Sequence, residues 1–122
     1  MIKLKFAPAL LAAGAAMLLA SPAIASDPSG TYKRKNGDTV RVFLHQGKLY
    51  CRITKGKKKN FEMCHGMAKN ATGYSGKKMK HPGMPGFMTF NGTVTYNATS
   101  LSIKGCAMGK SMCDKEKWPR VK

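Results

Sequence analysis

From Gly30 onward the apolar residues recur at every second position between clusters of turn formers, a pattern that short antiparallel strands satisfy and helices do not. Thr31 to Lys35 and Thr39 to His45 flank Asn36-Gly37-Asp38, where Asn and Gly tolerate the positive φ of a tight turn. Val40, Val42 and Leu44 then face one way, and Arg41, Phe43 and His45 the other. Gln46-Gly47 turns the chain into Lys48 to Thr54, where Leu49, Cys51 and Ile53 alternate with Tyr50, Arg52 and Thr54. A lysine-rich loop at 55–59 leads to a short strand over Phe61 to Cys64. Residues 66–86 are rich in Gly, Pro, Lys and Met without sustained alternation, which predicts a long surface loop of the kind that often carries function. Strands resume at Phe87 to Phe90 and Thr93 to Tyr96, split by a turn at Asn91-Gly92 or joined through a bulge. Leu101 to Met108 and Met112 to Val121 complete the chain. Seven or eight sequential strands predict an all-β fold, an antiparallel meander that curls into a small barrel or a tightly bent sheet.

The N-terminus combines Lys3 and Lys5, an apolar run from Phe6 to Ala20 and the small-residue signal Ala23-Ile24-Ala25, which together predict a signal peptide over 1–25. The run is broken by Pro8 and Gly14 and is shorter than the roughly 20 residues a membrane span requires. The expected mature protein, 26–122, is one domain, periplasmic or secreted, with no transmembrane segment. Its 97 residues are marginal for a single core. Cys51, Cys64, Cys106 and Cys113 all lie in it, and an even cysteine count in a small exported chain implies a disulfide framework. Of three connectivities, folding one hairpin about Lys57 and Lys58 sets Cys51 opposite Cys64, and folding another about Gly109-Lys110 sets Cys106 opposite Cys113. Pairing between the two hairpins is the alternative.

Of 22 Lys and Arg residues, two lie in the leader, leaving 20 against five acids and a net charge of +15. Such an excess steers anionic partners toward the protein and weakens as salt rises. The anion-binding candidates are Lys55, Lys57, Lys58 and Lys59 in one loop and Lys77, Lys78 and Lys80 in another, with Lys33, Arg34 and Lys35 in a third cluster. Tyr32, Tyr50 and Tyr74 could add stacking, although no nucleic-acid motif accompanies them. A solvated charged face is the competing interpretation of the same lysines. Asn-x-Thr sequons begin at Asn70, Asn91 and Asn97.

Gly30-Thr31-Tyr32, Gly47 to Ile53 around Cys51, Leu101 to Cys106, and Trp118-Pro119-Arg120-Val121 resemble a family of small exported bacterial proteins, the domain of unknown function 2147 family. The likeness spans nearly the whole mature chain. It implies a small lipocalin-like β-barrel and brings neither an enzyme activity nor site residues. A departure from the family pattern falls on Met79-Lys80-His81-Pro82-Gly83-Met84, where an Asp-Pro and Gly-Lys stretch is commoner. A lipocalin-like barrel could hold a small apolar ligand, or Phe43, Phe61 and Trp118 could fill its interior.

Catalysis is not expected, because the five acids are scattered and no nucleophile signature surrounds His45, His65 or His81. The expected role is that of an exported, non-enzymatic binding protein of the cell envelope, taking anionic envelope material or a small apolar ligand, with no cofactor. The alternative is a copper-binding protein that uses Met63, His65, Met67, Met79, His81 and Met84, since thioether sulfur suits Cu(I) and imidazole accepts either copper state. Methionine also fills irregular cores, and that plain packing role competes with the metal.

Overall fold

The computed structural model describes residues 27–107 and 112–122; the expected leader and the expected Gly109-Lys110 turn lie outside these residues. The described chain is an eight-stranded antiparallel meander: β1 Gly30–Lys33, β2 Thr39–His45, β3 Lys48–Lys55, β4 Glu62–Lys69, β5 Tyr74–Met79, β6 Phe90–Tyr96, β7 Ser100–Ala107 and β8 Met112–Pro119. Among the described residues no helix is long and apolar enough to cross a membrane. The meander curls until its ends meet, with Thr31 N donating to Lys122 O at 2.7 Å and Val121 N donating to Thr31 O at 2.7 Å. Tyr32 also bridges to Arg120. The result is a nearly closed barrel, which leaves little unpaired edge.

Alternation fills the interior. Val40 and Val42 of β2, Leu49, Cys51 and Ile53 of β3, Val94 of β6, and Leu101 and Ile103 of β7 are buried around Trp118, which is fully enclosed. Phe61 packs at the edge of this core, whereas Phe43 lies on the outer face. There Phe43 stacks on its cross-strand partner Tyr50 at 5.5 Å between ring centroids, beneath the Arg52 guanidinium. A β-strand sends successive side chains to opposite faces, so Phe43 cannot join Val42 inside. Leu44, also expected inward, sits at the end of β2 and is 39% exposed.

Both expected disulfides are present, Cys51 with Cys64 and Cys106 with Cys113, at Cα separations of 4.7 and 4.0 Å. Each joins directly paired residues of a hairpin. The first is in the core, with both residues essentially inaccessible. Strand parity places the second on the outer face with Ser102 and Lys104, and Cys113 is exposed.

The expected loop over 66–86 is instead largely strand. β4 runs to Lys69, and β5 occupies Tyr74–Met79. Between the pairs Gly76–Gly92 and Met79–Phe90, two residues of β5, Lys77 and Lys78, oppose one of β6, Asn91, a bulge that leaves both lysines exposed and returns Met79 to the core. Period two is lost there, which hid the strand. β4 also shifts register twice and holds Gly66 at φ +60°. Phe90–Tyr96 is one strand through Asn91 and Gly92, and Phe87 lies outside it.

The two barrel ends differ. At one end the turns are tight: Gln46 and Gly47 both take positive φ, as a two-residue hairpin loop demands. The sequons Asn70-Ala71-Thr72 and Asn97-Ala98-Thr99 form twin turns at the same end. In each, the Asn Oδ1 accepts backbone N–H groups two and three residues on, at 2.8 to 2.9 Å. At the other end lie the connections 34–38, 56–61 and 80–89.

At that second end Arg34, just past β1, reaches β8. Its Nε and Nη2 donate to both oxygens of Glu116 at 3.0 and 2.8 Å, and Nη1 donates to Asp38 at 3.2 Å. Trp118 Nε1 donates to the same Glu116 carboxylate at 2.8 Å. Burial pushes the Glu116 carboxyl up, but the hydrogen bonds from Arg34 and Trp118 and the charges of Arg34 and His81 outweigh it, and the net shift is downward from 4.5.

Two outcomes are expected. Glu116→Gln keeps an acceptor for Trp118 but leaves the buried guanidinium with Asp38 as its remaining carboxylate partner, and should cost about 1–3 kcal/mol at pH 7 in urea unfolding. Because the folded-state pKa is depressed, the Glu116 contribution is complete above the unfolded value near 4.5 and is lost as pH falls through the lower folded value, so the gap between variant and parent closes in acid. Under mild thiol reduction, alkylation mapping should find Cys106 and Cys113 opened first, with Cys51 and Cys64 protected until the barrel unfolds.

Candidate functional site

A cavity of about 470 Å³ opens at the end with the long connections. Its apolar wall is Met63 of β4, Met79 of β5, Phe90 of β6, Ile103 of β7 and Met112 of β8, with Met84 from the 80–89 connection. His81, Asp114 and Glu116 supply the polar part. The volume and the lining match small-molecule sites, which are concave and mostly apolar with a few placed polar groups.

A row of glycines runs beside this space, and one of them, Gly105, lines it. Gly76, Gly92 and Gly105 lie side by side on β5, β6 and β7, each directly paired with the next. A Cβ on Gly76 would meet Met67, one on Gly92 would stand 2.7 Å from Met79 Sδ, and one on Gly105 would collide with Met79 Cε. Methionine side chains therefore lie flat across a strip of bare backbone. The thioether suits the task because it is unbranched and adapts to irregular gaps.

The polar groups are largely engaged already. Glu116 is held by Arg34 and Trp118 as described, and His81 Nδ1 accepts the Gly83 amide at 2.9 Å. Ligand atoms of His81, Asp114 and Glu116 fall within 4.8 Å of one another.

Of the six proposed copper ligands, the structure brings Met63, Met79, His81 and Met84 to this cavity. It separates the other two. Met67 is buried in the core, and His65 is exposed on the outer face, with Nδ1 2.6 Å from Glu62 Oε1 and its ring edge-on to Tyr50. The lysine candidates gather at the cavity end: Lys55 closes β3, Lys57, Lys58 and Lys59 follow it, Lys77 and Lys78 occupy the β5 bulge, and Lys80 begins the next connection. The third basic cluster does not act as one. Arg34 is buried in ion pairs, and Lys33 Nζ donates to Thr39 Oγ1 at 3.0 Å. The tyrosines do not form a stacking platform either, since Tyr32 and Tyr74 are buried and Tyr50 is covered by Phe43 and His65.

Sequence reasoning missed Met112, Asp114 and Glu116, although their every-second spacing ahead of Trp118 marks one face of β8. It also missed a groove of about 530 Å³ on the outer face of β6 to β8. There Thr93, Lys104 and Lys115 form one cross-strand row, and Thr95, Ser102 and Lys117 form the next.

Comparison with protein-family models, with curated proteins and with solved structures finds no match to this chain.

The contact between Met79 and Gly105 can be measured by a double-mutant cycle. Gly105→Ala alone should destabilise by about 1–3 kcal/mol through overpacking. The same change in a Met79→Ala background should cost far less, leaving a coupling of about 1 kcal/mol or more in urea unfolding.

Proposed function

We propose that this protein is an exported, non-enzymatic binding protein of the cell envelope, periplasmic or secreted, that takes a small apolar or amphiphilic ligand in the methionine-lined cavity. An anionic group on that ligand meets the lysines around the same end of the barrel. The observation that carries this reading is the coincidence of the cavity with the long, lysine-bearing connections at one barrel end. Binding residues concentrate on such connections, because a rigid scaffold holds them while they stay accessible.

Several features support a binding role over catalysis. The four cysteines are consumed in disulfides, and the cavity wall offers thioethers and hydrocarbon in place of a nucleophile. Glu116, the more buried of the two acids in the cavity, is tied to Arg34 and Trp118 and is held below the usual carboxylate range, which removes it as a proton donor near neutral pH. The filled core around Trp118 confines a ligand to the rim, so the guest is small. Two disulfides fit an oxidising compartment, and the leader-like N-terminus supports export.

Two fluorescent probes test the reading on the mature, oxidised protein. N-phenylnaphthylamine is neutral, and anilinonaphthalene sulfonate is an anionic amphiphile of similar size. Both should bind, and Ala107→Trp, which fills the cavity mouth, should abolish both. Raising salt, or changing Lys58, Lys59, Lys77 and Lys78 to Glu, should weaken the sulfonate by roughly tenfold while sparing the neutral probe. Binding of either probe that survives Ala107→Trp unchanged rejects the cavity as the site.

A further inference from the structure

We propose that the rim cavity is also a thioether site for a soft monovalent cation, Cu(I), with Met79, Met84 and Met112 as its principal donors and Met63 behind them. This rests on the cavity being a binding site, and it adds a ligand class that a purely apolar pocket would not take.

Four methionines from four separate segments line one space: β4, the end of β5, the 80–89 connection and the start of β8. Core packing accounts for two of them. Met63 is 1% exposed and Met79 6%. It does not account for Met84 and Met112, which are 44% and 62% exposed and yet border the same cavity from opposite sides of the chain. A leucine would fill buried space as well. What methionine adds at an exposed cavity mouth is a polarisable sulfur with lone pairs, the donor preferred by Cu(I).

The local charge agrees. The chain carries 22 Lys and Arg residues against five acids, and two of those five, Asp114 and Glu116, line this one cavity. Glu116 is neutralised by Arg34, so the carboxylate that a cation meets here is Asp114, in an otherwise repulsive protein. The oxygen and nitrogen donors are less available than the sulfurs. Glu116 is bound on both oxygens by Arg34, and His81 Nδ1 receives the Gly83 amide. Hard divalent ions, which need oxygen ligands, are disfavoured accordingly. The thioethers require no proton loss before they bind, and they compete poorly for water.

The probe is Ag(I), a redox-inert ion of the same ligand preference, titrated into the mature, disulfide-intact protein and followed by native mass spectrometry and calorimetry. Cu(I) is then tested with ascorbate as the reductant, which leaves the disulfides closed. One equivalent of Ag(I) should bind. Met84→Leu/Met112→Leu alters only exposed side chains and preserves the apolar lining, so it should weaken Ag(I) at least tenfold while N-phenylnaphthylamine still binds. Met88→Leu, in the same connection but outside the cavity lining, should leave Ag(I) binding unchanged. Absence of Ag(I) binding to the parent, or equal affinity in the double leucine variant, overturns the metal site. Retained probe binding in either event leaves the apolar cavity standing, whereas loss of probe with Ag(I) retained would defeat the apolar-ligand reading alone.

Discussion

Two arginines, Arg34 beside β1 and Arg120 beside β8, reach across the seam between those strands and close the barrel together with its backbone bonds. Backbone pairing is thin there, limited to the Thr31 bonds with 121 and 122 and the bridge from Tyr32 to Arg120. Arg34 leaves the first hairpin and grips Glu116 on the last strand, while Arg120, just beyond that strand, donates from Nε and Nη2 to the Tyr32 hydroxyl at 3.1 and 2.7 Å. The Tyr32 hydroxyl in turn donates to Pro28 O at 2.6 Å. Each edge thus lends a cation to the other. Bidentate geometry matters here, because a guanidinium fork fixes both distance and orientation where a lysine would fix only distance.

The same clasp shapes the cavity. Glu116 stands in its wall, so the ion pair that closes the barrel also consumes the one acid there that is well shielded from solvent. A carboxylate buried without Arg34 would take up a proton or admit water, and either would change what the cavity accepts. Closure and the character of the site are therefore a single electrostatic problem. The surrounding lysines do not disturb this solution, since they lie on exposed connections where solvent screens them.

Legibility in the sequence followed the range of the interactions. Hairpins that obey mirror symmetry about a turn were readable, and so were both disulfides, because counting outward from Lys57 and Lys58 sets Cys51 against Cys64. β5 was not readable. Its bulge places Lys77 and Lys78 on the same side of the sheet, and a segment with adjacent lysines, a glycine and flanking prolines looks like a loop to any test of strict alternation. The glycine row was invisible for a different reason. Gly76, Gly92 and Gly105 align only once the registers of three strands are known, and one-residue slips in either pairing would dissolve it. The partner of Arg34 is 82 residues away, so nothing local marks it as buried.

The asymmetry of the two ends bears most directly on function. At the tight end, Gln46-Gly47 and the twin Asn-Ala-Thr turns are short and satisfy their backbone groups locally. The open end does the reverse, spending ten residues, 80–89, on a connection that a two-residue turn could have made. Glycines there strip side chains from the wall, and methionine, the most compliant apolar side chain, is laid over the gap. A barrel built only for stability would place β-branched residues at Gly92 and Gly105, where they would favour strand structure and pack against their neighbours. Bare backbone gives up that packing, and the row is covered by the Met67 and Met79 side chains in its place.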